Sequence, residues 1–179
     1  VQTIKFYNIK ELLKLFENHK NNSYYMGAWV NHFSDNGLGI FKSSNWNKSK
    51  LYLKKINNEY NFVSNLIIKL IYPILRKLIK RKTIKFLNYL LFLLISNKHN
   101  QEINFKDFYY PQEKYMPKHS LLYEGGKINI QILIPKKKFI YHYNNIKKIC
   151  KKFSYESWWL GIKMHKKSKF DHSFNLDGY

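Results

Sequence analysis

A chain of 179 residues with 45% apolar side chains is long enough for one domain with a buried core, and its 32 Lys and Arg against 11 Asp and Glu leave a formal charge of +21. Such an excess repels itself, so a polyanion is the natural partner, with an anionic membrane surface second. The single cysteine, Cys150, excludes an intramolecular disulfide and a multi-cysteine zinc site, and fits a reducing compartment.

Only Arg76 and Arg81 are arginines; Lys, Asn, Ile, Tyr and Phe dominate, while Gly, Ala and Pro are scarce. The dominant residues have AT-rich codons, which points to an AT-biased genome such as that of an organelle. The N-terminus shows no apolar core before a cleavage site, so a secretory signal is not expected. It is basic and amphipathic, yet it carries Glu11 and Glu17 and no arginine, which argues against an imported transit peptide. The expected location is therefore the mitochondrial matrix, with the gene in the organelle.

In chain order, Ile4, Ile9, Leu12, Leu13 and Phe16 recur at helical intervals, which predicts one short amphipathic helix from Ile4 to His19. Residues 1–25 then form an N-terminal helical extension. Gly27, Gly37 and Gly39 interrupt the next stretch, and Ser34-Asp35-Asn36-Gly37 is a turn signature. That stretch is expected to be extended, with a short strand at Leu38 to Lys42. From Lys54 to Ile95 apolar residues follow the helical pattern, with a kink or break expected at Pro73. The run Phe86 to Ile95 is apolar on all sides but about half the ~20 residues a bilayer requires, so a buried helix is expected rather than a membrane span. Residues 26–96 thus form a glycine-punctuated motif plus central helices.

Residues 97–179 are expected to hold an extended arm and a small basic β region. The arm, Asn97 to Pro117, is polar and aromatic. Lys127 to Ile134 alternates and predicts a strand, Phe139 to Phe153 a basic helix, and Trp158 to His165 a second strand. A loose tail closes the chain from Asp171. The fold class expected is α+β, with a helical N-terminal and central region and a small basic β region towards the C-terminus.

No catalytic set is assignable. The seven histidines are scattered without metal-ligand spacing, the acids are isolated, and no phosphate loop or nucleophile elbow occurs, so neither an enzyme nor a cofactor is expected. Cys150 lies in a run of lysines that could lower its pKa, but no histidine partner set accompanies it. What remains is cation interleaved with aromatic and amide side chains, the pattern of an RNA-binding surface. The candidate residues are Lys42, Asn45, Trp46, Asn47, Lys48 and Lys50; Arg76, Lys77, Lys80, Arg81, Lys82 and Lys85; Lys136, Lys137 and Lys138; and Lys166 and Lys167. Lys147, Lys148, Lys151 and Lys152 form a further basic run.

One stretch is more specific. Met26-Gly27-x-x-Val30-Asn31, then Gly37-Leu38-Gly39-Ile40, then Asn45-Trp46-Asn47-x-Ser49-x-x-Tyr52 resembles the opening of small-subunit ribosomal protein number three of bacteria and organelles. That family reads Met-Gly-x-Lys-Val-Asn-Pro, then Arg-Leu-Gly-Ile, then Trp-Asn-Ser-x-Trp-Tyr. Trp159 to Met164 also resembles a late strand of the family. The family's KH module carries a Gly-x-x-Gly loop that has no counterpart here. The resemblance therefore implies a divergent form, or the N-terminal part of a split protein whose C-terminal half is separately encoded. Tyr24 to Asn36 is similar to a segment of small-subunit ribosomal protein number two. Both resemblances imply a structural constituent of the mitochondrial small ribosomal subunit, with ribosomal RNA and neighbouring small-subunit proteins as partners. The competing expectation is a matrix-side accessory subunit of a respiratory membrane complex.

Overall fold

The computed structural model describes residues 1–45, 80–99, 101–103, 130–157, 159–167 and 176–179. The chain divides into two units: Val1–Asn45, Lys85–Gln101 and Ile130–Tyr179 form one, Trp46–Ile84 and Glu102–Asn129 the other. Of the second, only residues 80–84 and 102–103 are described. The kink expected at Pro73, the helical pattern before Lys80 and most of the expected arm lie outside the described residues.

Four strands form one antiparallel sheet in the order β1-β3-β2-β4, with β1 at Gln2–Phe6, β2 at Tyr25–Val30, β3 at Gly39–Ser44 and β4 at Leu160–Lys163. The fold class is α+β, but the expected placement of its parts is reversed. Three of the four strands fall within the first 45 residues, and the C-terminal region supplies one. The described helices are α1 at Ile9–His19, α2 at Arg81–Leu94 and α3 at Phe139–Phe153, the last preceded by a 3₁₀ turn at Lys136–Lys138.

The helix expected from Ile4 is cut at Asn8. Ile4 and Phe6 follow the two-residue period of a strand, and both join the core from β1. Asn8 is the N-cap: its Oδ1 accepts from Glu11 N at 2.9 Å, while Glu11 Oε2 accepts from Tyr7 N at 2.7 Å. This reciprocal capping satisfies two otherwise orphaned N–H groups and ends the strand at the same point. Replacing Asn8 with Ala is expected to cost about 1 kcal/mol, read as a lower urea midpoint at unchanged slope.

β1 and β2 each pair antiparallel with β3, so they run parallel to each other with β3 between them and α1 as the crossover. In register, Ile4, Phe41, Ala28 and Ile162 lie in one row across the sheet. Their face is covered by Ile9, Leu12 and Phe16 of α1 and by Phe139 and Tyr143 of α3. Trp29 and Ile40, one residue along, point to the opposite face and meet Phe92 of α2. Lys5, on that face, donates from Nζ to Leu93 O at 3.1 Å and lies over the Phe92 ring at 5.0 Å. It thereby places a cation at the negative end of α2.

Three further expectations change. The helix α2 is not buried: only Asn88 and Phe92 are, while Phe86 is 63% and Leu94 74% exposed. Its inner stripe is narrow because one sheet face covers one side of a helix that is apolar all round. Lys127 to Ile134 gives no strand among its described residues, 130–134. Ile134 exchanges backbone hydrogen bonds of 2.8 and 2.9 Å with Tyr179. The tail, expected to be loose, is pinned at its end: Tyr179 is 8% exposed and stacks against Phe139 and Phe16. The free edge of β1 is covered as well, since Thr3 and Lys98 exchange backbone hydrogen bonds of 2.8 and 2.9 Å.

Candidate nucleic-acid interface

Two lysine runs, separated by about thirty positions in sequence, are brought to one place by the docked C-terminus. Pro135 and His165 each form a β-bridge to Gly178. Lys136, Lys137 and Lys138 follow the first bridge at once, and Lys166 and Lys167 follow the second. Lys20, at the end of α1, joins them: its carbonyl accepts from Lys166 Nζ at 3.5 Å. Gly178 makes the approach possible, because a Cβ there would lie 2.4 Å from Ile134 O.

Glu17 ties this edge together. It accepts from Lys20 Nζ at 2.7 Å, from Lys136 Nζ at 3.0 Å and from Tyr179 Oη at 3.2 Å. The hydrogen bonds from Lys20 and then Lys136 hold its carboxyl at about 2. Burial, with the Glu17 charge beside it, pushes the Tyr179 phenol up to about 12. Lys136 is therefore half-buried and spent on the protein, whereas Lys137, Lys138, Lys166 and Lys167 are exposed.

The other candidates fall elsewhere. Lys80, Arg81, Lys82 and Lys85 are exposed along the start of α2, whose first turn carries no acidic residue, and Arg81 has an interaction of its own. Cations at the positive end of a helix dipole oppose it, and a bound anion would relieve that. Lys42 is half-buried on β3 and has its own interaction. Asn45 is spent on the fold: its Oδ1 accepts from Tyr24 N at 3.0 Å and its Nδ2 donates to Asn22 O at 2.6 Å. Trp46, Asn47, Lys48, Lys50, Arg76 and Lys77 lie outside the described residues, as does Trp158.

Each of the six acids among the described residues is engaged. Glu11 caps α1, Glu17 holds its lysines, Asp35 pairs with Lys151 at 3.4 Å and Asp177 accepts from Lys167 N, while Glu102 and Glu156 have interactions of their own. Among the described residues, the surplus of lysine on this surface therefore meets no unengaged acid.

Gly37 and Gly39 of the glycine-punctuated stretch serve the packing of the sheet. Gly37 takes φ +73° in the β2–β3 turn, and Gly39 lies so close to β2 that a Cβ would be 2.1 Å from Trp29 O. Lys147 of α3 reaches the turn and donates to the carbonyls of Ser34 and Asp35. Burial lowers the Lys147 pKa. His32 is buried beside it and accepts from Ser157 N at 2.9 Å through Nδ1, so it must be neutral; burial and then the Lys147 charge lower its pKa. Burial raises the Cys150 thiol, the reverse of activation.

No protein-family model, no curated protein and no solved structure matches this chain. Its chemistry is therefore read from its own residues. Among the described residues no group of His, Cys, Asp and Glu could hold a metal ion, and no helix is long and apolar enough to cross a membrane.

A shallow cleft of about 260 Å³ opens between the β2–β3 turn and α2. Its walls include Asn31, Phe33, Asp35, Leu38, Lys85 and Tyr89. Of these only Lys85 stands out from sequence. Phe33 had a signal in preceding the turn, and Tyr89 in lying four residues after Lys85, one helical turn away.

The two shifted groups set an acid limit on the fold. His32 has a folded pKa below its ordinary 6.5, so its contribution is complete above that value and is lost as pH falls through it. Glu17 contributes fully above 4.5 and loses its contribution as pH falls toward 2. Both signs agree. The urea midpoint is expected to fall below pH 6.5 and again below 4.5, and His32→Gln, which keeps an acceptor without a proton site, is expected to remove the upper fall.

Proposed function

We propose that this protein is a structural constituent of the mitochondrial small ribosomal subunit and binds ribosomal RNA through its lysine-rich surfaces. The observation that carries the reading is the convergence of Lys137, Lys138, Lys166 and Lys167 on the Gly178 edge. A cluster assembled from distant parts of the chain, with nearby Glu17 already occupied, is a surface suited to phosphates. The start of α2 adds a second group of exposed cations. The AT-biased composition and the resemblance of Met26 to Tyr52 support the organellar ribosomal assignment, and a separately encoded C-terminal half remains part of that proposal. The function is binding: lysine replaces the counterions of the phosphates, and no chemical step is involved.

The test is a salt titration of RNA affinity. The wild-type protein is expected to bind ribosomal RNA fragments with an affinity that falls steeply as salt rises. Lys137→Ala/Lys138→Ala is expected to weaken binding across RNA sequences and to lower the slope of log affinity against log salt by about 1 for each lysine that meets a phosphate. Affinity independent of salt contradicts the proposal.

The exposed apolar side of α2 favours a second reading, an accessory subunit on the matrix side of a respiratory membrane complex. Phe86, Leu87, Leu90, Leu93 and Leu94 stand outward there. That reading expects the chain to fractionate with membranes after nuclease treatment.

A further inference from the structure

We infer that the cleft between the β2–β3 turn and α2 receives an unpaired nucleobase, with Phe33 and Tyr89 as its stacking surfaces and Lys85 at the adjoining phosphate. The inference rests on the RNA-binding reading and assigns it a site that the lysine runs alone do not supply. Several aromatics of the fold are already matched: Tyr7 with Phe92, Phe16 with Phe41, Trp29 with Trp159, and Phe139 with Tyr143. Phe33 and Tyr89 stack on no other ring among the described residues and are the two aromatics that line the cleft. Tyr89 is 51% exposed. An unmatched aromatic surface in a cleft with a lysine at its mouth is what a splayed base requires, because every base offers a π-face.

Size and charge narrow the ligand. The cleft, at about 260 Å³, falls below the ~300–1,000 Å³ of sites that take drug-sized molecules or cofactors, and so suits one ring system. Asp35 at the rim has a side chain 86% exposed, and it disfavours a phosphate inside the cleft itself. A carboxylate can instead accept from the amino or imino group of a base. Asn31 Oδ1 accepts from Phe33 N at 3.1 Å, which fixes the backbone that carries the ring and leaves the Asn31 amide nitrogen as a donor. Lys85 makes no ion pair or hydrogen bond among the described residues, and Lys82 is one helical turn before it. The base enters, and its backbone passes Lys85.

The experiment uses the full chain and short RNA containing one 2-aminopurine, as a single strand and as a perfect duplex, at low salt. The wild type is expected to quench 2-aminopurine in the single strand on binding and to bind that strand more tightly than the duplex. Tyr89→Ala is expected to lose the quenching and about tenfold in single-strand affinity, with duplex affinity unchanged. Tyr89→Phe is expected to behave as wild type, and Phe33→Leu, which keeps the apolar volume, to lose quenching as Tyr89→Ala does. Lys137→Ala/Lys138→Ala weakens both RNA forms and keeps the quenching. If Tyr89→Ala and Phe33→Leu quench and bind as wild type, the inference is overturned while the RNA-binding reading stands. If neither RNA form binds, both fail together.

Discussion

Gly39→Ala is expected to cost about 3 kcal/mol or more, a large share of the ~5–15 kcal/mol that holds a typical domain together. The cause is backbone, not side chain. The new Cβ would sit 2.1 Å from Trp29 O, 2.6 Å from Phe6 Cζ and 3.0 Å from Val30 Cα. Gly39 pairs with Val30 on one side and Phe6 on the other, so the clash cannot relax without shifting two strand registers at once. Gly27 is the control. It lies in the same glycine-punctuated stretch, yet a Cβ there meets only Lys163 Cγ at 3.9 Å and Ile162 O at 4.0 Å. Gly27→Ala is expected within about 0.5 kcal/mol of wild type. Urea unfolding of the two variants checks this, and equal midpoints would contradict the β2–β3 register.

Phe41→Ala is the second large effect, expected at about 3–5 kcal/mol. Phe41 is fully buried on the central strand β3, flanked in register by Ile4 and Ala28. The Phe16 ring meets it edge-on at 5.2 Å, and the His19 ring lies 5.1 Å away. Removing the ring leaves a cavity bounded by three elements, α1, β1 and β2, none of which can close on it alone. Phe86→Ala is the comparison. Phe86 belongs to the more apolar local sequence but is 63% exposed, and its loss is expected to change stability by no more than about 0.5 kcal/mol. Calorimetry or urea unfolding separates the pair.

The contrast between those phenylalanines shows what the sequence conveys and what it leaves out. Helical spacing marks Ile9, Leu12 and Phe16 correctly as a buried stripe, and the basic helix from Phe139 to Phe153 is equally legible. The switch from strand to helix at Asn8 is written in Asn8 and Glu11, but the apolar residues on both sides of it also fit one continuous helical wheel. Apolar composition around Phe86 suggests burial, yet burial depends on how many neighbours the fold supplies, and the sheet supplies one face. Lys127 to Ile134 alternates like a strand, but a strand needs a partner, and at Ile134 the partner is the chain's last residue. Among the candidate site residues, lysine type and clustering are visible in sequence. That Lys136 is held by Glu17, that Asn45 clamps Asn22 and Tyr24, and that Gly178 gathers two lysine runs follow from tertiary pairing alone.

Sedimentation of the native protein through a sucrose gradient, with and without ribonuclease, tests the central proposal most directly. The account predicts that the chain travels with the mitochondrial small ribosomal subunit and is released by ribonuclease or by high salt. A chain that remains with membranes after both treatments would contradict it.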